Sequence, residues 1–170
     1  KGSKIQLELN GKKIIENIVN MFHNQETTKL LLHKDDQIEK IDQVDNDNVL
    51  MISERTGGQA ESSSILINSI DNSNPILVHS ADCILDKKIK IEIEDSDIVV
   101  YTKKDYRRAF SQPLNYGWVN MINSHVESFS IKKNPKSKNS TVILGVFLFR
   151  DKDLYNSLYF ETRKKFDPTK

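Results

Sequence analysis

Apolar residues in the first half of the chain fall into short unbroken runs set between stretches of helical spacing. The runs are Leu30 to Leu32, Val49 to Ile52, and Pro75 to His79. Continuous runs of this length bounded by turn residues read as strands buried on both faces. Ile14, Ile15, Ile18, Val19 and Phe22 lie on one face of a helix over Lys12–His23. Ile65, Leu66 and Ile70 would form the inner face of a second helix over Ala60–Ile70. Before the first helix, Ile5, Leu7 and Leu9 alternate up to an Asn10-Gly11 turn. Asp35–Ile41 reads as a polar helical turn or loop, Thr56-Gly57-Gly58 as a break, and Asn72–Pro75 as a turn.

The second half has a different rhythm. Ile98–Tyr101, Tyr116–Ile122, Val126–Ile131 and Val142–Phe149 read as strands between polar turns, and Asp151–Phe166 as a helix. Lys132–Ser140 reads as an exposed loop, and Lys87–Asp95 as either a strand or a short helix. The expected class is α/β: a Rossmann-like, mainly parallel central sheet with helices on both faces, and additional antiparallel strands in the second half. With 170 residues and no evident linker, the chain is read as a single domain over 1–170.

Composition narrows the function classes. The net charge is +1 and Lys is interleaved with Asp and Glu, so a nucleic-acid binder with a basic face is not expected. The single cysteine, Cys83, cannot form an internal disulfide. It follows Asp82 with no evident base partner, so a thiol nucleophile is not expected. No apolar run is long enough for a membrane span, and Lys1–Lys4 leads into no signal-peptide core. A cytoplasmic protein is the default. His23, His33, His79 and His125 lack zinc-ligand spacing, and Ser62–Ser64 lacks a nucleophile-elbow pattern.

Three places could carry chemistry. Asp82 follows a buried strand, where ligands of open α/β sheets bind and where a carboxylate can hold Mg2+. It could equally cap the strand. Thr56-Gly57-Gly58-Gln59-Ala60 places two glycines before a helix, which lets backbone approach a ligand and presents a helix N-terminus to phosphate. The same glycines suit an ordinary tight turn. It is not a P-loop, since no Lys-Ser/Thr follows. Gly117, in Tyr116-Gly117-Trp118-Val119, suggests a bulge or close approach within a strand, while Trp118 reads as core.

In order and spacing these segments resemble the sugar-phosphate nucleotidyltransferases of the nucleotide-diphospho-sugar transferase superfamily. Gly58-Gln59-Ala60-Glu61, then Pro75 to Asp82, Tyr116-Gly117-Trp118-Val119, Ile131-Lys132-Lys133 with Pro135, and Val142 to Phe149 follow the family pattern. Lys4 to Phe22 is similar to the segment running from a catalytic Pro-Lys into the first helix, with Ser3 in place of that Pro. The resemblance implies Lys4 as a catalytic cation, Gly57, Gly58, Gln59 and Ala60 as nucleotide-binding, and Asp82 as the Mg2+ ligand. It implies Tyr116, Gly117, Lys132, Lys133 and Gly145 as the substrate side. The substrates would be a nucleoside triphosphate and a phosphorylated sugar or amino-alcohol, joined with release of pyrophosphate. Surface polysaccharide or glycoconjugate synthesis is the expected setting, and a homo-oligomer is left open.

The family opens with a Gly-rich loop carrying an Arg and has a further acidic metal ligand downstream. Neither is found in this sequence, so the domain is expected to be incomplete at both ends and the isolated chain to be nearly inactive. Two other readings stay open. One is a nucleotide-sugar-dependent glycosyltransferase, which usually carries Asp-x-Asp; here Ile84 follows two residues after Asp82. The other is a non-catalytic nucleotide-binding or regulatory domain of the same fold.

Overall fold

Asn10 and Gly11 both take positive φ, 55° and 74°. That is the backbone of a tight hairpin turn, and it pairs β1 (Glu8–Leu9) with β2 (Lys12–Lys13). The computed structural model describes residues 7–22, 28–36, 44–71, 74–81, 83–85 and 91–166. Lys4, His23 and Asp82 lie outside them, as do most of Asp35–Ile41 and part of Lys87–Asp95.

Helix α1 (Ile14–Met21) starts directly after β2, where the Glu16 carboxylate accepts the Lys13 N–H at 2.9 Å. Its Ile15 and Val19 pack on Leu32, with Leu30 and Val49 around them. Leu30 lies in β3 (Leu30–His33) and Val49 in β4 (Val49–Ile52); the two strands are parallel, Leu30 facing Val49 and His33 facing Ile52. After β4 the chain enters α2 (Gln59–Asn68) through the two glycines. Strand β5 (Ile76–His79) follows.

The remaining strands are β6 (Ile98–Lys103), β7 (Gly117–Ile122), β8 (His125–Ile131) and β9 (Thr141–Phe149), with α3 (Arg107–Ser111) after β6 and α4 (Lys152–Phe166) at the end. β9 organises a five-stranded sheet and pairs antiparallel with β5, β6 and β7. β8 pairs antiparallel with β7.

This departs from the expected mainly parallel sheet. Among the described residues the parallel pairing is β3 with β4, and β5 joins the antiparallel sheet. An apolar run does not report the direction of the neighbour, nor burial in every case: Leu50 and Met51 of β4, expected to be buried, are exposed. β5 is covered on both faces, because Ile76 packs with Ile67 of α2 and Tyr155 of α4, while His79 meets Phe22 edge-on at 5.4 Å. Residues three apart on a strand point to opposite faces. Ile76 thus faces α2 and α4, and His79 faces the residue that follows α1.

The inner face of α2 also differs. Ser63, Ser64 and Ile67 are its buried residues, while Ile65, Leu66 and Ile70 are half-buried. Small serines let the helix sit close to α4, whose Tyr155 hydroxyl donates to the Ala60 carbonyl at 2.7 Å. The stretch 91–95 forms neither strand nor helix.

Candidate active site

The pairing of β9 leaves a gap along one of its edges. A strand has two edges, and β6 occupies one edge at Phe147–Phe149 and again at Val142–Ile143. β5 pairs with residues 146–149 and β7 with Thr141 and Val142, so both must use the opposite edge. They come in end to end and leave Ile143, Leu144 and Gly145 between them. Here β9 is irregular: its register with β6 shifts between Val100 and Thr102, and Gly145 has φ of 73°. A residue with a side chain rarely adopts that conformation.

Two groups converge on the Gly145 carbonyl. The Ser80 N–H donates to it at 2.9 Å, and the Gln59 side-chain amide donates at 2.9 Å. The end of β5, the start of α2 and the irregular turn of β9 are thus tied at one oxygen. A Cβ on Gly145 would come 2.9 Å from Ser80 Cβ, so the glycine is required for this approach as well as for its φ.

Gly58 precedes α2 with φ of 152° and ψ of −175°, a region essentially reserved for glycine. A Cβ there would meet no protein atom within 4 Å. Gly57, Gly58, Gln59 and Ala60 are all exposed. The Glu61 carboxylate holds the Gly57 N–H at 2.6 Å and lies 3.7 Å from Arg163. Gly57, Gly58, Glu61, Tyr159 and Arg163 line a cavity of about 410 Å³ beside this turn. Burial raises the Tyr155 phenol pKa in its wall, so that group stays protonated at neutral pH.

Gly117 lies level with Ile143, and its missing Cβ is replaced by Ile143 Cδ1 at 3.0 Å and Ile131 Cδ1 at 3.1 Å. The Lys132 N–H donates to the Tyr116 carbonyl at 3.1 Å, and Lys132 has φ of 49°. With β7 between β8 and β9, the Lys132 backbone is two strand spacings, about 10 Å, from β9. Lys132 and Lys133 are exposed and Tyr116 is half-buried against Tyr106. Trp118 is core: it is 1% exposed and donates from Nε1 to the Pro113 carbonyl.

No protein-family model matches the sequence, and no curated protein matches it. Solved structures do. One is described as a glucose-1-phosphate thymidylyltransferase from Bacillus anthracis in complex with a sucrose; it matches with a TM-score of 0.67 at 16% identity, over 92% of this chain and 66% of that one. A nucleoside-diphosphate-sugar pyrophosphorylase from Vibrio cholerae RC9 matches with a TM-score of 0.68 at 18% identity, over 95% of this chain and 70% of that one. The fold is that of the sugar-phosphate nucleotidyltransferases. This chain spans about two thirds of the length of those structures.

Within the nucleotidyltransferase fold, the residues singled out in the sequence form two neighbouring groups. Gln59 and Gly145 are brought together with Ser80, beside Gly58; Gly117 lies against Ile143, and Tyr116 is bonded to the Lys132 backbone across the β7–β8 pair. The Gly145 carbonyl is thus tied to Gln59 of the glycine turn and to Ser80. Sequence reading missed Ser80 and Glu61. Glu61 had a signal, since an acid at the third helical position commonly reaches back to a free N–H at the helix start. Ser80 had none, because its role depends on a strand far along the chain. Among the described residues no cluster of three His, Cys, Asp or Glu side chains could cage a metal, and no helix is long and apolar enough to cross a membrane.

Proposed function

We propose that this site serves nucleotidyl transfer from a nucleoside triphosphate to a sugar phosphate or related phospho-compound. A phosphate oxygen of the acceptor attacks the α-phosphorus; its bond to the departing pyrophosphate breaks. The acceptor phosphate is already anionic, so positioning and charge neutralisation carry the reaction, with little proton transfer. The observation that carries this reading is the convergence of Gln59 and Ser80 on the Gly145 carbonyl, which aligns the glycine turn with the end of the strand before Asp82.

In this reading Gly57, Gly58, Gln59 and Ala60 receive the nucleotide, with room at Gly58 for close approach. Lys132 and Lys133 hold the acceptor phosphate as point charges, with Tyr116, Gly117 and Gly145 assigned to the acceptor side, and Lys4 neutralises the triphosphate. Mg2+ would rest on Asp82. Mg2+ takes one or two carboxylates together with substrate phosphates and water. The bound ion supplies charge neutralisation on the phosphates. Production of activated units for surface polysaccharide, in the cytoplasm, is the setting proposed.

The test is calorimetric titration of the chain with each common nucleoside triphosphate and Mg2+, for wild type and Gly58→Val. Wild type should bind at least one, and the valine variant should lose that binding, since its side chain fills space no protein atom occupies. Thermal melts run alongside separate backbone strain from loss of the site. Equal affinity in a folded Gly58→Val protein would overturn the assignment.

A further inference from the structure

The turn assigned to the nucleotide cannot fix its own shape. Gly57 and Gly58 are consecutive, and glycine samples backbone conformations that other residues rarely reach. Neighbouring side chains must set the turn. Gly57 also lies outside α2, so the helix supplies no carbonyl for its N–H.

Some of those side chains come from the turn and α2. The Thr56 hydroxyl donates to the Gly58 carbonyl at 3.4 Å and shares a hydrogen bond with the Ser62 hydroxyl at 2.6 Å. Others come from α4. Tyr155 holds the Ala60 carbonyl. Eight residues further along α4, Arg163 Nη1 stands 3.7 Å from Glu61 Oε1 and donates to the Tyr159 hydroxyl at 3.4 Å. The other carboxylate oxygen, Glu61 Oε2, accepts the Gly57 N–H at 2.6 Å. A Cβ on Gly57 would come within 3.0 Å of that oxygen, so the glycine lets the carboxylate approach. Glu61 and Arg163 both line the cavity beside the turn. There α4 reaches Gly57 through charge rather than through close packing.

We propose that Arg163 is a positioning residue for the nucleotide. It orients Glu61, and Glu61 holds the glycine turn in the shape that receives the ligand. This inference rests on the nucleotidyl-transfer reading above. Neither side chain has to touch the nucleotide, because a turn already ordered loses less freedom on binding and so binds more tightly.

The test has two arms. The first uses the chain without nucleotide. Amide exchange of Gly57, followed by NMR, should quicken about two- to fivefold in Arg163→Ala, the range of an exposed ion pair. In Glu61→Ala it should quicken about tenfold or more, the range of a hydrogen bond to a charged group. The Ile67 amide in α2 should not change. The second arm is calorimetric affinity for the triphosphate that wild type binds with Mg2+. Glu61→Gln keeps an oxygen for the Gly57 N–H and should stay within about fivefold of wild type. Glu61→Ala should lose about tenfold. Arg163→Ala should lose less, Arg163→Lys should recover part of that loss, and Arg163→Ala should add nothing to Glu61→Ala. Additive losses would mean that Arg163 meets the ligand directly, and overturn the inference. Unchanged or tighter binding in Glu61→Ala overturns it too, as does Gly57 exchange indifferent to both alanine variants. A wild-type chain that binds no triphosphate overturns the nucleotidyl-transfer reading itself, and this inference with it.

Discussion

Gly145 and Gly117 sit on neighbouring strands, and a methyl group added to each asks a different question. At Gly145 the methyl would meet Ser80 Cβ at 2.9 Å on a backbone with φ of 73°. Backbone strain of that kind costs about 1–3 kcal/mol, and the Ser80 and Gln59 bonds to the carbonyl would be disturbed as well. At Gly117 the methyl meets only the flexible tips of Ile143 and Ile131, so the loss should lie near the low end of overpacking, about 1 kcal/mol. Urea denaturation of Gly145→Ala and Gly117→Ala should rank them in that order. Equal losses would mean that the turn at Gly145 relaxes freely. Gly117 was legible in the sequence as a break in a strand pattern, and Gly145 only through the resemblance to a family. What they touch was not, because Ser80 and Ile131 reach them through sheet pairing rather than through periodicity.

At the scale of elements, α4 shows how a cap becomes pH-dependent. Asp151 precedes the helix and its carboxylate accepts the Leu154 N–H at 2.7 Å. That backbone bond first, then the Arg150 side chain, lowers the Asp151 pKa below its ordinary value. A depressed carboxylate stabilises the fold above its unfolded pKa, near 3.9. That contribution disappears as pH falls through the folded value. Asp151→Ala should therefore lower the melting temperature at neutral pH, and the gap from wild type should close in acid. A gap that persists below the folded pKa would show that the aspartate acts through packing. The sequence pattern located β3, β4, β9 and α4 to within a residue, while the helix read over Lys12–His23 begins only at Ile14, because Lys12 and Lys13 pair as β2. The five-residue α3 carries no periodicity to detect, and α2 buries Ser63 and Ser64, which hydrophobic patterning counts as outward.

Across the whole molecule, strand order was harder to read than strand position. Among the described residues, β3 and β4 form a two-stranded parallel sheet separate from the five-stranded one. Its ties to the rest include α1, whose Ile15 and Val19 pack on Leu32 and whose neighbour Phe22 rests on His79. A two-stranded pair is weak by itself, so it should open at lower free energy than β9, which has partners on both edges. Native-state hydrogen exchange should show Leu31 and Leu50 amides less protected than those of Val146 and Leu148. Matching protection would mean that both sheets unfold as one cooperative unit.

The single tryptophan turns that difference into an optical one. Trp118 lies under Phe110, its indole nitrogen bonded to Pro113, in the cluster that joins α3 to the large sheet. Its ultraviolet emission reports the dryness of that corner alone. Fluorescence followed through a denaturant series will register the loss of the large sheet and stay dark to any earlier opening of β3 and β4. Far-ultraviolet circular dichroism weighs every backbone segment, so it will begin to change first. The lag between the two signals measures how far the small sheet moves alone.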